Sequence, residues 1–367
     1  MRLCNNAVLA VLLAGAVLAL PAQQPPAPEK PARTPVPASS PAQAPPAQAP
    51  PLTVDRDPVR TPDSEPAAAE PLRRNGDGFI LHTDVEEVML NATVLDGTRL
   101  VPDLKRDNFE VFEDGVKQNL LSFQHTDLPV SIALVVDNSG SMYRKRPSVN
   151  KSALDLIQAS NPQDEAFVVN FSDEAFIDQE FTGDVKKLRD GLAHIESRGG
   201  TALYDAVVAS ADKLALDAKR PKQVLILITD GEDNASTLNL EQTIRRVQQL
   251  SGPVIYSIGL LFGDEMSHAE VRHARRALEM LSTETGGMAF FPKSIEQIDQ
   301  IAAEVARDIR NQYTLGYHST RPTTEAGFRK VLVMATGNNQ SKLIVRTRTG
   351  YFPVVRTRKK TGDTAGN

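Results

Sequence analysis

Asp137, Ser139 and Ser141 stand within five residues of one another in Val135-Val136-Asp137-Asn138-Ser139-Gly140-Ser141-Met142, directly after the apolar stretch Ile132 to Val136. A buried strand running into such a loop offers one carboxylate and two hydroxyls. Two later segments offer matching oxygens: Thr201 in Gly199-Gly200-Thr201-Ala202-Leu203, and Asp230 in Ile228-Thr229-Asp230-Gly231. Both fall at turns where a strand or helix should begin or end. All five groups are hard oxygen donors, and none is nitrogen or sulfur. Hard ligands with only two acids suit a small divalent cation, Mg²⁺ or Mn²⁺, which keeps water and leaves a position open. Taken singly, Asp137 also fits a helix N-cap and Asp230 an Asp-Gly turn. Agreement among three separated loops favours the metal.

The elements that must position these groups alternate. Strands are expected at Ser131 to Val136, Glu165 to Phe171, Lys222 to Thr229, Val254 to Gly259 and Met288 to Phe291. Ala175 to Phe181 follows its predecessor through the tight Ser172-Asp173-Glu174 turn and reads as an antiparallel edge. Helices fill the intervals: Val149 to Gln158, Val185 to Ile195, Leu203 to Asp217, Leu240 to Leu250, Ala269 to Thr285 and Ile295 to Asn311. The last carries the apolar stripe Ile298, Ile301, Ala302, Val305 and Ile309, with a capping box expected over Ser294 to Gln297. Such alternation predicts an α/β fold with a doubly wound, mostly parallel sheet, whose ligands bind beyond the carboxyl ends of the strands.

Strand-like segments flank this unit: Gly78 to Gln124 before it, and Tyr313 to Tyr351 after it. Neither is long enough to hold a large core alone. One small β-sandwich built from both, with the α/β unit inserted, is the economical reading. The expected organisation is 1–22 signal peptide, 23–72 Pro/Ala-rich disordered linker, 73–128 N-terminal β segment, 129–312 α/β domain, 313–355 C-terminal β segment, and 356–367 disordered tail.

D-x-S-x-S, then a separate Thr, then a separate Asp, resembles the metal-ion-dependent adhesion site of von Willebrand factor type A domains. Asp137, Ser139 and Ser141 match its loop, Thr201 its threonine and Asp230 its second aspartate. The resemblance implies a Rossmann-like fold and a bound divalent cation. Asp107 to Gly115, Tyr313 to Tyr317 and Arg348 to Phe352 also resemble an acidobacterial vWFA-related family, whose members are mostly of unknown function.

The ends set the compartment. Arg2, an apolar run from Ala7 to Leu20, then Pro21-Ala22-Gln23 read as a secretory signal with cleavage near Ala22; an uncleaved anchor is the competing reading. The only cysteine, Cys4, precedes that run, so a mature chain has neither disulfide nor thiolate. Residues 23–72 are too poor in large apolar side chains to offset their ordering entropy. A net charge of −5 and the absence of tryptophan argue against general nucleic-acid binding.

Weaker candidates remain. His268 and His273 lie five apart, a poor spacing for one helix face. Asp233 and Asn234 either orient metal-bound water or cap a turn. Asn138 is expected to shape its loop, and Gly140, Gly199 and Gly200 to let the backbone approach the ion. No glycine-rich phosphate loop with lysine is present. Two functional classes follow. One is an exported, periplasmic or envelope binding module whose cation accepts an Asp or Glu of a protein partner, as the resemblance implies. The other is a metal-dependent hydrolase, against which no His, Lys or spare carboxylate stands as general base. An envelope scaffold whose metal only rigidifies loops is a third. The expectation carried forward is binding without catalysis.

Overall fold

The computed structural model describes residues 87–159, 161–194, 197–250, 252–262, 266–337 and 341–353. The expected signal peptide, the Pro/Ala-rich linker, the strand at Phe79 to Leu81 and the polar tail lie outside the described residues.

The N-terminal flank forms β1 (Glu87–Asp96), β2 (Arg99–Leu100), β3 (Phe109–Glu113), β4 (Val116–Gln118) and β5 (Leu120–Gln124). The α/β unit follows as β6 (Val130–Asp137), α1 (Arg146–Gln158), β7 (Glu165–Phe171), β8 (Ala175–Thr182), α2 (Val185–Leu192), α3 (Leu203–Asp217), β9 (Lys222–Thr229), α4 (Leu240–Gln249), β10 (Val254–Gly259), α5 (His268–Thr285), β11 (Ala289–Phe290) and α6 (Ile298–Arg310). The C-terminal flank adds β12 (Tyr313–His318), β13 (Arg329–Thr336), β14 (Lys342–Arg346) and β15 (Gly350–Tyr351).

The six-stranded sheet runs β11-β10-β9-β6-β7-β8. All its pairings are parallel except the β8 edge, as the tight turn before Ala175 predicts. Every residue of β6 is buried, because helices cover both faces. Alternation sorts its side chains. Ile132, Leu134 and Val136 face the layer of α1, α2 and α6, while Ala133 and Val135 face the layer of α3, α4 and α5. The chain turns to opposite sides of the sheet from the neighbouring strands β6 and β9. Their carboxyl ends carry Asp137 and Asp230, so the fold's crevice falls between those two loops.

The flanks interleave. β1 pairs with β12 and β14, β3 with β13, and β5 with β12, all antiparallel. The strands form one hydrogen-bonded path, β4-β3-β13-β14-β1-β12-β5, with β15 on β13 and β2 on β1. β3 and β12 lie well apart along that path, yet the Phe109 and Tyr313 rings are 4.9 Å apart. The sheet therefore folds over on itself into two layers around Leu90, Val111, Leu315 and Val333. In place of two separate sheets, the expected sandwich is a single bent one.

In the α/β unit three element ends differ from expectation by more than one residue. α1 begins at Arg146, with Pro147 in its first turn, where a missing N–H costs nothing. α2 ends at Leu192, short of Ile195. The helix over 295–311 opens with a 3₁₀ turn, and the capping box at Ser294 does not form. In that tighter turn Gln297 N–H donates to the Ser294 carbonyl (3.3 Å), and Gln297 Oε1 accepts from Lys293 N–H instead (2.7 Å).

Candidate functional site

Three loops meet at the crevice and are stitched together by their own backbone. Arg198 N–H donates to the Asn138 carbonyl at 3.2 Å. Asn234 Oδ1 accepts from Thr201 N–H at 2.8 Å, and Asn234 N–H returns a bond to the Thr201 carbonyl at 3.1 Å. Asp233 accepts from Tyr204 N–H and from the Ser236 hydroxyl. Asp233 and Asn234 thus both anchor the loops. Asn138 shapes its loop as expected, with its amide against His194 and Ser197.

Within that frame the five oxygen donors converge. Asp137 Oδ1 accepts from Ser139 N–H (2.7 Å), and its Oδ2 from the Thr229 hydroxyl (2.5 Å). Ser139 Oγ lies 3.2 Å from Ser141 Oγ, and the Ser141 hydroxyl donates to Asp230 Oδ1 at 2.7 Å. One chain of contacts thus joins the two carboxylates through both serines. Thr201 lines the same cleft of about 260 Å³ as Ser141 and Asp230, and apolar Leu260, Phe262 and Met266 line it too.

The electrostatics favour added positive charge. Asp137 is fully buried, and desolvation pushes its carboxyl up to about 6; bonds from Thr229 and Ser139 oppose that rise, while the Asp230 charge adds to it. A buried carboxylate beside a second one, ringed by hydroxyls, is a donor set that fits a small hard cation. One cation is already there. Lys145 Nζ sits 2.6 Å from Asp230 Oδ2.

Sequence reasoning missed four contributors. Lys145 and Arg146 lie in the basic run Tyr143-Arg144-Lys145-Arg146, whose only signal is its place just after the serine loop. Thr229 precedes Asp230 in a strand that reads as purely apolar. Asp173 accepts from Gly200 N–H at 2.6 Å. The glycines also have another purpose than expected. A Cβ at Gly140 meets nothing within 4 Å. Gly199, at φ +82, packs on the Asp173 carboxylate, and a Cβ at Gly200 would stand 2.6 Å from Asn234 Oδ1. At Gly199 and Gly200 the missing Cβ makes room for side chains of the protein. His268 opens α5 on the surface, and His273 pairs with Glu232 at 3.3 Å.

With this geometry in view, residues 132–232 match the family described as von Willebrand factor type A domain. The chain carries a von Willebrand factor type A domain. The matched span of this type A domain runs from β6 to just past Asp230 and so includes all five donors. The human inter-alpha-trypsin inhibitor heavy chain H4 is 27% identical over 224 residues, covering 56% of this chain and 23% of that protein. Its bovine counterpart is 25% identical over 178 residues, covering 44% and 18%. The chain therefore spans about a quarter or less of the curated relatives it matches. Among solved structures, a von Willebrand factor type A protein from Catenulispora acidiphila aligns with a TM-score of 0.44 at 12% identity, covering 69% of this chain and 73% of that one.

Proposed function

We propose that the type A domain captures an acidic group of a protein partner through a divalent cation, Mg²⁺ or Mn²⁺, held by Asp137, Ser139, Ser141, Thr201 and Asp230. The observation that carries this reading is the contact chain from Asp137 through Ser139 and Ser141 to Asp230, with Thr201 on the same cleft. When bound, the cation supplies an electrophilic position for an outside carboxylate. The chain's own residues do the rest. Two acids do no more than balance the ion's charge, and three neutral hydroxyls are weak donors, so a loaded ion would stay electrophilic toward an outside carboxylate. Apolar Leu260, Phe262 and Met266 are part of the cleft's lining, and a less polar lining strengthens charge–charge contacts. The stitched loops hold the donors in place beforehand, so little order is lost on binding.

Binding, not hydrolysis, is the reading the cleft supports. Its further acids are committed elsewhere: Glu232 pairs with His273, Asp233 anchors Tyr204 and Ser236, and Glu270 accepts from Ser267 N–H. Each is a poor candidate for a general base. Among the described residues no helix is long and apolar enough to cross a membrane. The apolar run at Ala7 to Leu20 supports a partner in the envelope or outside the cell.

The test is Mg²⁺ titration by calorimetry on the full chain, followed by capture of envelope proteins in Mg²⁺ against EDTA. Thr201→Ala and Asp230→Asn should lose both ion and partner while remaining folded. Capture that is indifferent to EDTA would refute the mechanism. Metal-dependent turnover of a peptide or phosphoester, lost in Asp137→Asn, would establish the hydrolase instead.

A further inference from the structure

Asp230 is saturated. Its side chain is fully buried, with Ser141 on Oδ1 at 2.7 Å and Lys145 Nζ on Oδ2 at 2.6 Å. The Lys145 side chain is itself only 14% exposed. Its main chain is pinned: Lys145 N–H donates to the carbonyl of buried Met142 at 2.9 Å, and the next residue, Arg146, is fully buried. Movement is therefore left to the four-carbon stem, which carries a compact point charge. That stem has a second seat. Nζ already lies 5.7 Å from the centroid of the Phe262 ring, which also lines the cleft and whose face attracts an ammonium.

We propose that Lys145 is a tethered counter-ion that a divalent cation must displace from Asp230, so that this residue sets the metal concentration at which the site loads. The proposal rests on the metal reading above and adds its regulation. Charge balance gives the reason. With the ammonium in place, the two carboxylates of Asp137 and Asp230 carry one compensating charge. A divalent ion at the same oxygens would stand a few ångströms from that ammonium, and like charges at such range in a buried site repel strongly. Loading is therefore an exchange: Asp230 Oδ2 gives up the ammonium, which turns toward Phe262 and solvent. The apparent affinity is the intrinsic affinity reduced by the strength of the ion pair. No bond to carbon changes and no proton moves.

The experiment compares the full chain with Lys145→Met, which keeps the stem and removes the charge, and Lys145→Arg, which keeps the charge. Magnesium chloride is titrated into each by calorimetry, and each is melted in EDTA and in saturating Mg²⁺. Lys145→Met should bind Mg²⁺ about tenfold tighter, the order expected for loss of a close buried charge pair. Its melting temperature should fall in EDTA and return to that of the unaltered chain in Mg²⁺. Lys145→Arg should stay within about twofold of the unaltered chain. A lysine serving only to hold the fold would lower the melting temperature equally with and without Mg²⁺, and that result overturns the proposal. Equal or weaker Mg²⁺ binding by Lys145→Met overturns it alone. Failure of every protein to bind Mg²⁺ overturns it together with the metal reading. Should Lys145→Met not fold in EDTA, Lys145→Gln titrated from the Mg²⁺-loaded state gives the same comparison.

Discussion

Arg146 supports Asp137 from beneath: its Nη1 donates to the Asp137 main-chain carbonyl at 3.3 Å, across nine residues of chain. The guanidinium is fully buried, and its Nη2 reaches Asn170 Oδ1 at 2.7 Å and the Leu192 carbonyl at 3.0 Å. One side chain at the start of α1 thus ties the serine loop to β7 and to the end of α2. Arg146→Met should destabilise the protein by roughly 2–4 kcal/mol, since several buried acceptors lose their donor at once. Chemical denaturation measures this. A change below about 0.5 kcal/mol, the range of an ordinary surface substitution, would show that the contacts carry nothing.

Metal linkage gives a second measurement. At ten times its dissociation constant, Mg²⁺ should stabilise the fold by about 1.4 kcal/mol. Asp137→Asn is the informative variant, because truncation to alanine would also strip Ser139 N–H and the Thr229 hydroxyl of their acceptor. The gain should vanish in Asp137→Asn. A melting shift that persists there would put the ion elsewhere.

Lys222, at the start of β9, predicts a dependence on alkaline pH. Burial pushes its ammonium down to about 8, although Asp127, Asp308 and Asp164 lie near enough to oppose the shift; Nζ donates to the Ile309 carbonyl at 2.8 Å. The folded pKa lies below that of the unfolded chain, so between about pH 8 and 10.5 the unfolded state binds more protons. Stability should therefore rise with pH across that window, by about 3 kcal/mol for this group alone. Lys222→Met should flatten the rise, as followed by denaturant midpoints from pH 7 to 10. An unchanged slope would show that the ammonium is better solvated than its burial implies.

In the β unit, Glu113 joins the two flanks. It belongs to β3 and accepts from the hydroxyls of Tyr317 (2.7 Å), Tyr351 (2.9 Å) and Ser319 (2.5 Å), with Arg329 Nη1 at 3.5 Å. Burial, with Glu113 and Tyr351 alongside, pushes the Tyr317 hydroxyl well above its ordinary range. Glu113→Gln leaves the Arg329 guanidinium buried without its counter-charge and should cost about 3 kcal/mol. Adding Arg329→Met should recover much of that loss. A double variant no better than the single would mean that the hydroxyl bonds, not the charge pair, dominate.

The interleaved flanks predict how fragments behave. Residues 129–311 contain both helix layers and the whole six-stranded sheet, and should fold alone. Residues 78–127 should not, because β1, β3 and β5 find their partners in β12, β13 and β14. Amide exchange on the two fragments decides. Strong protection in the shorter one would require pairings absent from the whole protein.

Much of this was legible in the sequence, and the reason is periodicity. β7, β9, β10 and α3 have the bounds that their apolar patterns predict, because a strand buried on both faces must be mostly apolar and a covered helix must carry a stripe. The five candidate oxygens could be picked out because their loops follow β6 and β9 or precede α3, and the fold class dictates a crevice there. Polar residues whose burial depends on distant chain were not legible. No local pattern marks Lys145 and Arg146, which become buried only because Asp230, Asn170 and Leu192 are brought to them from 85, 24 and 46 residues away. Glu113 looked like the polar face of an alternating strand until the sheet folded over and set Tyr317 and Tyr351 against it. The glycines at 199 and 200 suggested close approach to an ion, and the structure gave that space to Asp173 and Asn234. Local pattern fixes which residues face inward. Which buried charges meet is decided only when separate elements pack, since a charge's partner is chosen by distance in space and leaves no period in the chain.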